Sequence, residues 1–185
     1  NTPGDPQVFY KLIKDAAGRG TGRFDKFVIS EGPSGHGLGF GDIDGDGKTE
    51  IILCNGYLRQ RGSVYEPWEF VHCFDQPAAS VPMLVCDVNG DGLPDIIAAN
   101  GHNYGLYWLQ QRSDGSFQKH DIDTANAQYH DMQLYDIDND GELELVTGKR
   151  YRAHCGNDPG DNDPVNVSYF KIRGGAFEKY VIDYG

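Results

Sequence analysis

Apolar positions along this chain come in short runs rather than long periodic stretches. Thr49 to Gly56 (TEIILCNG), Pro94 to Gly101 (PDIIAANG) and Leu143 to Gly148 (LELVTG) are each a few apolar residues closed by glycine, the pattern of a buried strand. A second recurring element is led by an aromatic residue and ends in an apolar or acidic one: FDKFVIS from Phe24, FVHCFD from Phe70, FQKHDID from Phe117 and FEKYVID from Phe177. These four segments predict outer strands. No segment sustains helical periodicity, so the expected fold class is all-β. No apolar run approaches the roughly 20 residues needed to cross a bilayer, and a membrane span is not expected.

Just ahead of, and running into, each buried-strand run lies an acidic nine-residue loop: DIDGDGKTE from Asp42, DVNGDGLPD from Asp87 and DIDNDGELE from Asp136. Each places an oxygen-bearing side chain at positions 1, 3, 5 and 9. In a tight turn the side chains at 1, 3 and 5 converge while the intervening ones face away, and the glycine at position 6 (Gly47, Gly92, Gly141) lets the backbone turn back around a point. The expected ligands are Asp42, Asp44, Asp46, the Lys48 carbonyl and Glu50; Asp87, Asn89, Asp91, the Leu93 carbonyl and Asp95; and Asp136, Asp138, Asp140, the Glu142 carbonyl and Glu144. A cage of carboxylates and a carbonyl suits Ca2+ better than the smaller Mg2+, so about three Ca2+ ions are expected. The EF-hand opens in the same way but needs glutamate at position 12, where these loops have Leu53, Ala98 and Thr147.

The loops are 45 and 49 residues apart, the length of one four-stranded propeller blade. Loops of this form between two strands resemble the FG-GAP or VCBS repeats of calcium-binding β-propellers, including integrin α-type and secreted lectin-type repeats. The segment GFGDIDGDG from Gly39 keeps the phenylalanine–glycine lead-in. The resemblance implies blades of four antiparallel strands and calcium that is structural rather than catalytic. On this reading residues 1–185 are one propeller region, with a partial blade over 8–34, blades over 35–79 and 80–124, and a blade over 125–185 carrying an inserted loop, 149–165. Such propellers usually close on seven blades, whereas this chain supplies about three and a half. The expectation is a partial propeller, or a ring completed by further chain or further copies.

The formal net charge of −12 argues against nucleic acid as a partner. Much of it is local, because positions 1, 3, 5 and 9 of the loops hold eleven carboxylates, and three divalent ions would offset half the net charge. Four cysteines (Cys54, Cys73, Cys86, Cys155) and a start without methionine or an apolar leader fit a secreted or extracellular protein with two disulfides, the pairing left open. Buried free thiols are the alternative. Asn166-Val167-Ser168 is an N-glycosylation sequon on a predicted strand.

The least repetitive stretch, Lys149 to Val165, has a basic front half. Lys149, Arg150, Arg152 and His154, with Tyr151 as a stacking platform, are candidates for binding a carboxylate or sulfate of a glycan; self-pairing of Arg150 and Arg152 with Asp158, Asp161 or Asp163 is the competing reading. His36 and His130 stand six residues ahead of the first and third loops and, with His102, lie at strand ends. With Tyr129, Tyr104 and Arg150 they are candidates for proton abstraction in a propeller-type polysaccharide lyase. G-x-S-x-G, H-E-x-x-H and P-loop motifs do not occur. Two functions follow: an extracellular calcium-stabilised module that binds glycan, protein or further copies of itself, or a lyase acting on acidic polysaccharide.

Overall fold

The computed structural model describes residues 5–32, 35–76, 79–80, 82–152, 154 and 156–185. Its strands are β1 (Gln7–Lys14), β2 (Gly20–Ser30), β3 (Leu38–Gly41), β4 (Glu50–Leu53), β5 (Gly56–Arg59), β6 (Glu69–His72) and β7 (Met83–Cys86). They continue as β8 (Asp95–Ala99), β9 (Tyr104–Gln111), β10 (Phe117–Ala127), β11 (Tyr129–Tyr135), β12 (Glu144–Lys149), β13 (Asn166–Arg173) and β14 (Ala176–Tyr184). Among the described residues no helix is long and apolar enough to cross a membrane.

The strands group into a β1–β2 hairpin and three antiparallel meanders, β3 to β6, β7 to β10 and β11 to β14. Each meander is a four-stranded blade, and the protein is a partial β-propeller. The four aromatic-led segments fall in β2, β6, β10 and β14, the last strand of the hairpin and of each blade. The first two full blades join into one eight-stranded sheet because their innermost strands, β3 and β7, pair in parallel at Gly39↔Met83 and Phe40↔Leu84. The phenylalanine–glycine lead-in explains that closeness: a Cβ at Gly39 would overlap the Met83 carbonyl, and one at Gly41 would overlap the Val85 side chain.

The core lies between blades. In β8 every side chain is buried, and the period-2 alternation divides them. Ile96 and Ala98 join Ile43, Ile52 and Met83 on one side, whereas Ile97 and Ala99 join Tyr129, Leu145 and Phe170 on the other. β9 divides in the same way, with Tyr107 and Leu109 facing one core and Leu106 and Trp108 the other. The middle blade is therefore apolar on both faces, and this is why its second strand reads as an unbroken apolar run. A third cluster, around Ile29, Leu53 and Leu58, seats the hairpin on the first full blade.

The cysteine expectation is corrected here. Cys54, Cys73 and Cys86 are free thiols, and Cys155 lies outside the described residues. Burial among apolar side chains pushes Cys73 up to about 12, and burial, with Asp95 and Asp87 adding, does the same to Cys86. Cys73 and Cys86 are half-buried and pack against the two inter-blade clusters, surroundings that favour the unreactive protonated thiol. The sequon asparagine is also engaged, since Asn166 is buried in β13 and its amide donates to Asn126 Oδ1 at 3.2 Å.

Candidate functional site

The three acidic loops connect the first and second strands of the three blades and share one hydrogen-bond plan. At position 1, Oδ2 of Asp42, Asp87 and Asp136 accepts the amide of the position-6 glycine at 2.9, 2.8 and 3.1 Å. At position 5, Oδ1 of Asp46, Asp91 and Asp140 accepts the amide of Lys48, Leu93 and Glu142, each at 2.9 Å. At position 9, one oxygen of Glu50, Asp95 and Glu144 accepts the amide of Ile43, Val88 and Ile137 at 3.0, 3.1 and 2.9 Å. Position 9 is also where each second strand begins, so the closing carboxylate is buried with the sheet. The sequence reading missed position 4. Gly45, Gly90 and Asn139 have φ of 72°, 78° and 59°, left-handed like the position-6 glycines, and the Gly/Gly/Asn pattern was the available signal.

The loops differ in how well they suit a cation. In the first, the carboxylates of Asp42, Asp44 and Glu50 bring oxygens within 4.8 Å of one another, and Asp42 Oδ1 and Glu50 Oε1 are buried without a hydrogen-bond partner. Two orphaned, desolvated carboxylate oxygens on residues that gather in one loop are what a hard dication would satisfy. Burial raises the Glu50 pKa, and Asp44, Asp46 and Asp42 add to the rise. Asp46 instead engages Lys48 through the backbone amide and, at 3.1 Å, through Nζ; Arg59 reaches Asp44 at 3.2 Å. The third loop brings Asp136, Asp138 and Glu144 together, with Lys171 bonded to Asp138 and, at 3.1 Å, to Asp140. In the second loop Asn89 donates to Asp91 at 2.9 Å, and both Asp95 oxygens are bonded, to the Val88 and Gln111 amides. Burial still pushes Asp95 up to about 6, with Asp91 and Asp87 contributing. The residues of loops 1 and 3 fit calcium best.

A second cluster gathers at the ends of the strands. His36 precedes β3, His102 lies between β8 and β9, and His130 is in β11, so each full blade contributes one imidazole. Ring centroids are 4.6 Å apart for His36–His102, 5.5 Å for His36–His130 and 5.9 Å for His102–His130. His102 Nδ1 lies 2.9 Å from Asp158 Oδ2 in the inserted loop, His154 stacks on His102 at 4.6 Å, and Arg150 Nη2 is 3.4 Å from the same Asp158 oxygen. Burial lowers the His130 pKa, with Arg150 and the other two histidines adding to it. The hydrogen bond from His102, with His154 helping, lowers that of Asp158.

Residues 87–147, covering the second and third acidic loops and the strands β8 to β11 between them, match the family profile described as FG-GAP-like repeat. This segment resembles an FG-GAP-like repeat. No curated protein matches the chain. The first acidic loop lies outside the matched residues yet shares the three hydrogen bonds made at positions 1, 5 and 9 of the other two.

Not every candidate joins these sites. Tyr129, the first residue of β11, is fully buried; its hydroxyl donates to Asp123 Oδ2 at 2.7 Å, and burial followed by that bond raises its pKa. It is sealed in the core and presents no proton to a ligand. Tyr104 donates to Asp163 at 2.6 Å. Lys149 is buried, its ammonium donating to the Arg150 carbonyl at 3.2 Å, and Arg150 turns to the histidines and Asp158. Tyr151 is 80% exposed, with Arg152 and His154 also open to solvent. The sequence reading weighed Asp158 only as a partner for arginine; its position against His102, 56 residues away, had no local signal.

Proposed function

We propose that this chain is a calcium-stabilised β-propeller module of the extracellular space that binds an anionic ligand, a glycan or an acidic protein surface, at the end where the inserted loop lies. The observation that carries the calcium reading is the pair of buried, unpartnered carboxylate oxygens of Asp42 and Glu50 inside a loop plan repeated three times. A folded chain tolerates such oxygens when a cation completes them. Extracellular calcium is abundant enough to fill sites of modest affinity, which supports the location; the cysteines, being free thiols at three positions, do not contribute to it. The exposed ring of Tyr151 beside Arg152 and His154 offers a stacking face with cations for a carboxylate or sulfate.

The lyase alternative keeps the converging histidines but loses Tyr129, whose hydroxyl is engaged with Asp123 inside the core. Two measurements test the module. Chelation is expected to lower the melting temperature, with calcium restoring it and magnesium doing so poorly; a melt unchanged after full chelation would refute structural calcium. A sulfated or uronate-rich oligosaccharide is expected to bind, and Tyr151→Ala with Arg152→Ala to weaken binding without moving the melt. Release of unsaturated sugar, seen as new ultraviolet absorbance, would favour the lyase.

A further inference from the structure

We propose that His36, His102 and His130 form a three-histidine site for a first-row transition ion of the Zn2+ class, separate from the acidic loops. The site does not depend on those loops holding calcium.

Hydrogen bonding fixes two of the three tautomers. His36 Nδ1 lies 2.8 Å from the Ala79 carbonyl, and a carbonyl oxygen only accepts, so the proton sits on Nδ1. His102 Nδ1 lies 2.9 Å from the Asp158 carboxylate, also an acceptor, and farther, at 3.3 Å, from Arg150 Nη2, so the shorter contact to the carboxylate places the proton on Nδ1. In the neutral rings both Nε2 atoms therefore carry lone pairs, and these face each other across 3.0 Å. Two lone pairs at hydrogen-bond distance repel unless something positive lies between or beside them. A tetrahedral ion with bonds of about 2.0–2.1 Å to nitrogen spaces its ligands by about 3.3 Å, close to the separation seen. His130 completes the set, since one nitrogen from each of the three rings falls within 4.8 Å of the others.

The chemistry of the donors selects the ion. Three neutral imidazoles suit zinc, copper, nickel or iron, whereas calcium and magnesium require oxygen. The surroundings match what such ligands need, because a metal-bound histidine usually donates its other N–H to a carboxylate or a backbone carbonyl. Asp158 does this for His102 and the Ala79 carbonyl for His36. Arg150 is paired with Asp158, so its charge is balanced rather than aimed bare at the metal. The His102 side chain retains 23% of its exposure, and a pocket of about 440 Å³ lined by His130, Lys149 and Arg150 lies alongside, leaving a fourth position for water or an anionic ligand. Three protein ligands and one open position are the arrangement of reactive rather than purely structural zinc.

Asp158 also lies 3.0 Å from His154 Nδ1, so a rival site would use His102, His154 and Asp158 as ligands. A titration of the full chain with Co2+, the acidic loops kept saturated with calcium, separates the possibilities. One equivalent is expected to produce the visible ligand-field bands of tetrahedral cobalt, which Zn2+ then displaces. His36→Ala and His130→Ala are expected to lose the bands while keeping the calcium-dependent melting shift that reports an intact fold. Asp158→Ala is expected to keep the bands with affinity weakened by about 10–100-fold, as for an outer partner. Asp44→Ala, in the first acidic loop, is expected to cost that loop its calcium and part of the calcium-dependent melting shift, yet to leave the cobalt bands and their affinity as they are. No bands with the native chain would overturn the proposal and leave the imidazoles sharing a proton. Bands that survive His36→Ala but vanish with Asp158→Ala would overturn it in favour of the rival.

Discussion

Replacing Glu50 by glutamine is expected to stabilise the protein without calcium and destabilise it with calcium. Glu50 is fully buried, one oxygen accepts the Ile43 amide, and the other has no partner. Desolvation, followed by the nearby charges of Asp44, Asp46 and Asp42, raises its pKa, so the ionised form opposes the metal-free fold. The amide keeps the acceptor for Ile43, removes the charge, and can place its NH2 against Asp42. In calcium the balance reverses, because a closing carboxylate is lost from the first loop. At an ion concentration a hundred times the dissociation constant one occupied site contributes about 2.7 kcal/mol. At about 2–4 °C per kcal/mol for a chain of this size, losing that site lowers the calcium-bound melting temperature by about 5–11 °C. Thermal melts of both proteins in chelator and in excess calcium read the crossing directly. Equal destabilisation of the variant in both conditions would refute the reasoning, for it would mean that Glu50 serves the fold through its hydrogen bond alone.

Acid and thiol chemistry give further tests. Burial works against ionised Asp123, but bonds from Lys179 and Tyr129, with the Ala125 amide and Asn126 adding, outweigh it and hold the carboxyl down at about 2 against an ordinary 3.8. A depressed carboxyl contributes its stability above the unfolded value and loses it as pH falls from about 4 through about 2, here about 2 kcal/mol. Lys179→Met is expected to reduce that acid-dependent loss in chemical denaturation, and an identical pH profile would count against the network. Cys73 and Cys86, both pushed up to about 12, are expected to resist iodoacetamide in the native protein and to react once it is unfolded, as read by intact mass. Rapid native labelling of either would contradict the packing of these half-buried thiols against the blade cores.

Much of the fold was legible because the blades repeat local patterns. Apolar runs closed by glycine announced β4, β8 and β12, and phenylalanine-led segments announced β2, β6, β10 and β14, since burial on both faces and edge position each leave a short-range trace. The parallel pairing of β3 with β7 leaves only two glycines as its trace, and their meaning depends on a strand more than forty residues away. In the loops, the alternating acids named the ring of oxygens, but the diversion of Asp140 depends on Lys171, a cation of β13 that loop spacing does not place, whereas Lys48, which diverts Asp46, stands in the loop itself. An even cysteine count suggested disulfides, whereas the blade cores use Cys73 and Cys86 as small apolar side chains. The histidine cluster was half visible: the equal offsets of His36 and His130 ahead of their loops marked a common position, but Asp158 enters from an insertion that follows no repeat.

The claim that the repeated acidic loops are cation sites is tested most directly by counting calcium ions on the native chain by mass spectrometry, alongside Asp44→Ala and Asp138→Ala. Three ions per chain are predicted, falling by one in each variant, with the second loop, whose Asp95 oxygens are both already bonded, losing its ion first as calcium is lowered. A chain that binds no calcium, or binds the same number in both variants, would contradict the account.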